Sequence, residues 1–96
     1  MSINMKTSIK VIERDKCRCQ YCGKEGVPIN RYGKPCVLEN PHNIPLNNYL
    51  FYNGSDVIPF EIHHITPRFY GGTDSLENLV LACRKCNRSR GYKLNV

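Results

Sequence analysis

A small α+β domain is the fold class the sequence predicts, and three observations predict it. The chain has 96 residues, enough for one domain and too few for a second core. Its C-terminal half alternates β-rich runs with turn clusters and ends on a short segment of helical character. Two Cys-x-x-Cys pairs, far apart in the chain, offer the staple that so small a core needs. Leu, Ile, Val and Phe together number 24 of 96 residues, above the level of about 20% below which chains are usually disordered. The whole of 1–96 is therefore expected to form a single domain.

The elements follow in order. Residues 8–16 allow a short helix, with Ser8 as its cap and Ile9 and Ile12 on one face. Residues 23–47 hold Gly23, Gly26, Pro28, Gly33, Pro35, Pro41 and Pro45, so this stretch is expected to be mostly turns. Tyr49-Leu50-Phe51-Tyr52 and Val57 to Ile62 flank Asn53-Gly54, a hairpin signal. A second turn region, Thr66 to Ser75, contains Pro67 and Gly71-Gly72. Leu79-Val80-Leu81-Ala82 is short and apolar and reads as a strand. Arg84 to Arg90 can make two helical turns, with Gly91 placed as the residue after the cap. Strand, loop, strand and short helix make a β-β-α unit.

Charge narrows the partner. Fourteen Lys and Arg against eight Asp and Glu give +6, and residues 84–96 carry Arg84, Lys85, Arg88, Arg90 and Lys93 with no acid. A solvated basic tail and an anion-binding surface both fit that composition. No apolar run approaches the roughly 18 residues of a membrane span, and Met1 to Lys6 lacks the apolar core of a signal peptide. The expected setting is intracellular and cytoplasmic, with no membrane partner.

The cysteines read as a metal site. Cys19 and Cys22 form one pair, followed by Gly23; Cys83 and Cys86 form the second. Two-residue spacing lets both sulfurs of each turn face one tetrahedral zinc ion. A pair of disulfides or four buried thiols is the competing account, and disulfides are rare in a reducing compartment. Four thiolates with Zn²⁺ carry −2, so the formal +6 falls to +4 and stays basic. Cys17 and Cys36 are left as spectators; Cys17 could replace Cys19 only by forming a looser knuckle.

His63 and His64 are adjacent, at the end of a β-rich run and before Pro67. Strict β alternation sends the two rings to opposite faces, so a shared site needs a bend where the strand enters the loop. His42, between Pro41 and Asn43, reads as a loop residue.

The run Cys19-Gln20-Tyr21-Cys22-Gly23, then Glu61-Ile62-His63-His64-Ile65-Thr66-Pro67, Gly71-Gly72, and Glu77-Asn78-Leu79-Val80-Leu81-Ala82-Cys83-Arg84-Lys85-Cys86-Asn87 resembles HNH endonucleases of the zinc-knuckle type. The match covers residues 12–23, a first knuckle, and 57–92, a catalytic unit with the second knuckle; residues 24–56 look like an insertion. The resemblance implies the ββα-metal fold stapled by a structural zinc. It also implies His64 as general base and Asn78 as the residue that holds the loop and so orients His64. His63 and Asn87 would be the ligands of one catalytic divalent ion. His63 stands where many members have Asp, and Asn87 where the last His is often found.

Each implied role has a chemical reason. An imidazole, with a reference pKa of about 6.5, can take a proton from water at working pH. One divalent ion can act as Lewis acid and template for a phosphate. Arg84, Lys85, Arg88 and Arg90 beside Asn87, and Arg68 from the loop, would hold flanking phosphates. Glu61, two positions before His63, could orient it or make a surface ion pair. With imidazole and amide as ligands and no carboxylate, Mn²⁺, Co²⁺ or Ni²⁺ is expected to serve better than Mg²⁺. The expected activity is DNA hydrolysis to 5′-phosphate and 3′-hydroxyl ends. A non-catalytic, zinc-stapled nucleic-acid-binding module is the alternative, and a zinc ribbon that binds protein is a weaker one. Nicking or double-strand cutting, and monomer or dimer, stay open.

Overall fold

The computed structural model describes residues 3–30, 32–35 and 49–90. Cys36, His42, Gly91 and Lys93, together with most of the turn-rich stretch, lie outside them. In chain order the described α-helices and strands are helix α1 (Met5–Arg14), strands β1 (Val27–Ile29), β2 (Tyr49–Tyr52), β3 (Val57–His64) and β4 (Leu79–Cys83), and helix α2 (Arg84–Arg90), with short 3₁₀ turns at Arg68–Tyr70 and Leu76–Asn78 between β3 and β4. The strands form one antiparallel sheet in the order β1-β2-β3-β4. This is the small α+β fold the sequence predicts, with strand, loop, strand and helix at its C-terminal end.

Helix α1 starts earlier than expected. Asn4, not Ser8, is the cap, and its side chain accepts from the Lys6 N–H at 2.8 Å. Ser8 sits inside the helix and is buried with Val11 and Ile12. Both residue types cap helices well; burial of the turn between them decides which does so here. The helix ends at Arg14, with Asp15 as C-cap. This end is tied to β4: Arg14 donates to the carbonyls of Leu76 and Leu79, and the Asp15 carboxylate accepts from the Leu81 N–H at 2.8 Å.

The hairpin between β2 and β3 forms around Asn53, whose side chain accepts from the N–H groups of Ser55 and Asp56. Gly54 follows at φ +98°, a conformation costly for other residues. Phe51 pairs with Ile58 across the ladder, and its ring packs on that of Phe60 at 4.6 Å. Strand β1 is a short strand within the stretch 23–47, expected to be mostly turns. Val27 to Ile29 pair with Tyr52 to Leu50 at the sheet edge, where a proline such as Pro28 is tolerated. The core gathers Val11, Ile12, Phe51, Phe60, Leu79, Leu81 and Ala82, with Cys19 and Cys83. It lies between α1, the sheet and the first cysteine pair. Among the described residues no helix is long and apolar enough to cross a membrane.

Candidate metal centre and candidate active site

The first knuckle is a tight turn. The Cys19 N–H donates to the Lys24 carbonyl, the Gly23 N–H to the Cys19 carbonyl, and the Cys22 N–H points at the Cys19 sulfur. Gly23 takes φ +82°, which lets the chain turn back under the sulfurs. The Gln20 N–H donates to the Leu81 carbonyl, so the knuckle leans on β4. The second knuckle straddles the junction of β4 and α2, with Cys83 ending the strand and Cys86 in the first helical turn.

These two turns bring four sulfurs together. Those of Cys19, Cys22, Cys83 and Cys86 all lie within 4.8 Å of one another, and Cys22 Sγ is 3.7 Å from Cys83 Sγ. A zinc–sulfur bond of about 2.3 Å gives a tetrahedron with edges of about 3.8 Å. The donor set therefore fits zinc. Its protonation behaviour agrees. Burial pushes the Cys19 thiol up, but N–H groups from Cys22, Cys83 and Tyr21 bring it down to about 6. Burial and the neighbouring sulfurs push Cys86 up to about 12. The Cys19 thiolate forms readily, and a cation among the sulfurs would favour those of Cys22 and Cys86. Cys17 is half-buried against the core and outside the cluster.

The histidines follow β alternation. Pairing stays regular through His63↔Val80 and His64↔Leu79, so Glu61 and His63 share one face and His64 takes the other. On the first face Asn87 of α2 meets both: its Oδ1 is 2.5 Å from His63 Nδ1, and its Nδ2 donates to Glu61 Oε1 at 2.8 Å. Glu61 thus orients Asn87, and it also faces Arg84 at 3.4 Å and Arg88 at 3.6 Å. His63 is 2% exposed, with the Tyr21 ring nearly perpendicular to its own at 5.4 Å. Burial holds its pKa below the ordinary imidazole value against the pull of Asn87, and charge on Arg90 and His64 acts in the same downward direction. His63 is kept neutral, the form in which an imidazole ligates a metal.

His64 stands where β3 enters the loop. Its Nε2 is 2.7 Å from Asp74 Oδ1. Asn78 cinches that loop: its Oδ1 accepts from the Thr66 N–H, and its Nδ2 donates to the carbonyls of Thr66 and Thr73. The strands are closed by Ile65 N–H donating to the Asn78 carbonyl. Gly72 lies so close to Thr66 that a Cβ would overlap the Thr66 carbonyl oxygen. Gly72→Ala is accordingly expected to force the loop open and destabilise the domain by about 1–3 kcal/mol, read by denaturant unfolding.

The basic residues have partners the sequence does not reveal. Arg68 pairs with Asp74, Arg84 and Arg88 with Glu61, and the Arg90 guanidinium lies 3.7 Å above the Tyr21 ring. Lys85 is exposed and, with Lys24 and Arg84, rims a cavity of about 500 Å³. Two site neighbours have no role that the sequence alone reveals: Asp74 and Tyr21. Asp74 stands two residues after Gly71-Gly72, and Tyr21 sits inside the first knuckle.

Comparison with known proteins agrees with this geometry. Residues 51–93 match the family model described as HNH endonuclease. The chain is also 30% identical over 81 residues, 83% of its length, to a CRISPR-associated endonuclease Cas9 of Corynebacterium diphtheriae. It spans 5% of the length of that relative. No solved structure matches the chain. The segment that carries both histidines, Asn78, Asn87 and the second knuckle is the part of the chain that matches the HNH endonuclease family.

Proposed function

We propose that the chain is one nuclease domain that hydrolyses phosphodiester bonds in DNA, with His64 as general base. The observation that carries this reading is the end of β3. There His64 meets a loop cinched by Asn78, while the preceding residue, His63, meets Asn87. In this reading His64 takes the proton of the attacking water, and Asn78 keeps the loop closed around it. Displacement of the 3′ oxygen leaves 5′-phosphate and 3′-hydroxyl ends. His63 and Asn87 would hold one divalent ion, which supplies Lewis acidity to a phosphate oxygen when bound.

The rim of Lys24, Arg84 and Lys85, with Arg88 and Arg90 farther along α2, supports a track for flanking phosphates. Glu61 sits 3.4–3.6 Å from Arg84 and Arg88, contacts long enough for a phosphate to compete with them. Arg68 reaches a phosphate only by sharing its guanidinium with Asp74. Residues 24–56 then supply β1 and β2 to the sheet as an extension on the side away from His64.

Purified protein incubated with supercoiled plasmid and divalent metal, with and without chelator, tests the reading. Chelator-sensitive conversion to nicked or linear DNA is expected. Binding without conversion would make the chain the non-catalytic, zinc-stapled nucleic-acid-binding module instead.

The ligand types predict the preferred ion. An imidazole and an amide suit Mn²⁺, Co²⁺ or Ni²⁺ better than Mg²⁺, which favours carboxylate oxygens. Cleavage at equal metal concentration is expected to be stronger with those ions by about tenfold. His63→Asp is expected to shift the preference toward Mg²⁺. Equal wild-type rates with Mg²⁺ would bring the Glu61 carboxylate into the shell or remove His63 from it.

A further inference from the structure

We infer that Asp74 is a positioning residue for His64: its carboxylate holds the ring through Nε2–H and leaves Nδ1 as the proton acceptor. The inference rests on the nuclease reading and names a residue that reading does not use. Asp74 Oδ1 lies 2.7 Å from His64 Nε2. An ionised carboxylate has no proton to give, so the ring nitrogen facing it must carry the hydrogen. The neutral ring is then the Nε2–H tautomer, with its lone pair on Nδ1.

Asp74 is itself fixed from two sides. Arg68 donates to Oδ1 through Nε at 3.1 Å and Nη2 at 2.9 Å, and to Oδ2 through Nη2 at 2.9 Å. The hydrogen bonds from His64 and Arg68 keep the carboxylate below its ordinary pKa, so it stays an acceptor. The backbone just before it is held by Asn78, whose amide donates to the Thr73 carbonyl at 2.8 Å. The bland reading of Asp74 and Arg68 is a surface ion pair, and such pairs add little stability. What sets this one apart is the third member: the side chain of His64 is 17% exposed while those of Arg68 and Asp74 are 40% and 42%. A surface pair thus reaches inward to aim a half-buried ring. Arg68, Asp74 and His64 form a chain in which each member orients the next.

The test combines a spectroscopic and a kinetic measurement on the whole chain loaded with zinc. Long-range ¹H–¹⁵N correlation at a pH where the rings are neutral identifies the tautomer, with the His64 signals assigned by their loss in His64→Ala. Wild type is expected to show Nε2–H at His64, and Asp74→Ala to drift toward the mixture of a free imidazole. Single-turnover plasmid cleavage is expected to slow by about 10- to 100-fold in Asp74→Ala, with DNA affinity changed by less than about two-fold. Asp74→Glu, which restores a carboxylate, is expected to recover most of the rate. A wild-type Nδ1–H tautomer overturns the inference, as does an Asp74→Ala rate within about two-fold of wild type. A slower rate matched by an equal loss of DNA affinity also overturns it, because Asp74 and Arg68 would then act on DNA binding. A wild-type protein that does not cleave defeats the nuclease reading instead, and the tautomer still reports whether Asp74 holds His64.

Discussion

Replacing His64 with alanine is expected to slow plasmid cleavage by about 10²- to 10⁴-fold, the range a general base contributes. Fold, zinc content and DNA affinity should stay close to wild type. The physical basis is the position of the residue. The main-chain pairing of His64 with Leu79 needs no imidazole, and its side chain hydrogen-bonds to the exposed Asp74. The substitution therefore removes a proton acceptor and leaves the main-chain pairing intact. His63→Ala makes the useful contrast. It empties a position 2% exposed, strips Asn87 of a partner and removes the ring contact with Tyr21, so it should cost stability as well as rate. Single-turnover rates, with circular dichroism and metal analysis on the same preparations, separate the two. A His64→Ala protein within a few-fold of wild type would remove His64 from the chemistry.

Local chemistry made much of this fold legible. Asn53-Gly54 marks its hairpin because the Asn side chain and the positive φ of Gly54 act within four residues. Arg84 to Arg90 forms the expected helix, and its first turn carries a cysteine already needed by the staple. Strand β1 was hidden for the opposite reason. Three residues containing a proline have no periodicity, and Val27 becomes a strand residue because Tyr52 lies across from it, a pairing set by the tertiary fold. The helix start was hidden by two good caps, Asn4 and Ser8, of which the core buries the second. In the site, the sequence shows the chemical types at His63, His64, Asn78 and Asn87 and hides their pairing. Glu61 shares a face with His63, as alternation predicts, but its hydrogen bond goes to Asn87 and its ion pairs to Arg84 and Arg88. Nothing periodic in the sequence places Asp74; Gly72 against Thr66 and Asn78 across the loop do so. Charge alone could not reveal that Arg90 stacks on Tyr21 or that Arg68 is held by Asp74.

Replacing Cys22 or Cys86 with serine is expected to abolish zinc binding and unfold the domain. The four sulfurs join segments separated by most of the chain: the knuckle after α1, the last residue of β4, and the first turn of α2. Without the ion, α2 is left with seven residues, too short to be stable alone. It carries Asn87, so the pairing with His63 would go with it. The apolar core is small, and a structural zinc contributes about 10–16 kcal/mol of apparent binding free energy, more than such a domain has in reserve. Serine keeps the size of cysteine and loses the thiolate, which isolates ligation from packing. Cys17→Ser tests the packing side. Cys17 touches the core but lies outside the cluster, so this variant should keep its zinc and lose about 1 kcal/mol or less. Cys36→Ser is expected to be tolerated as well. Metal analysis, near- and far-ultraviolet circular dichroism and denaturant titration of each purified variant decide the matter. A Cys22→Ser protein that is folded and free of zinc would show that the core holds without its staple.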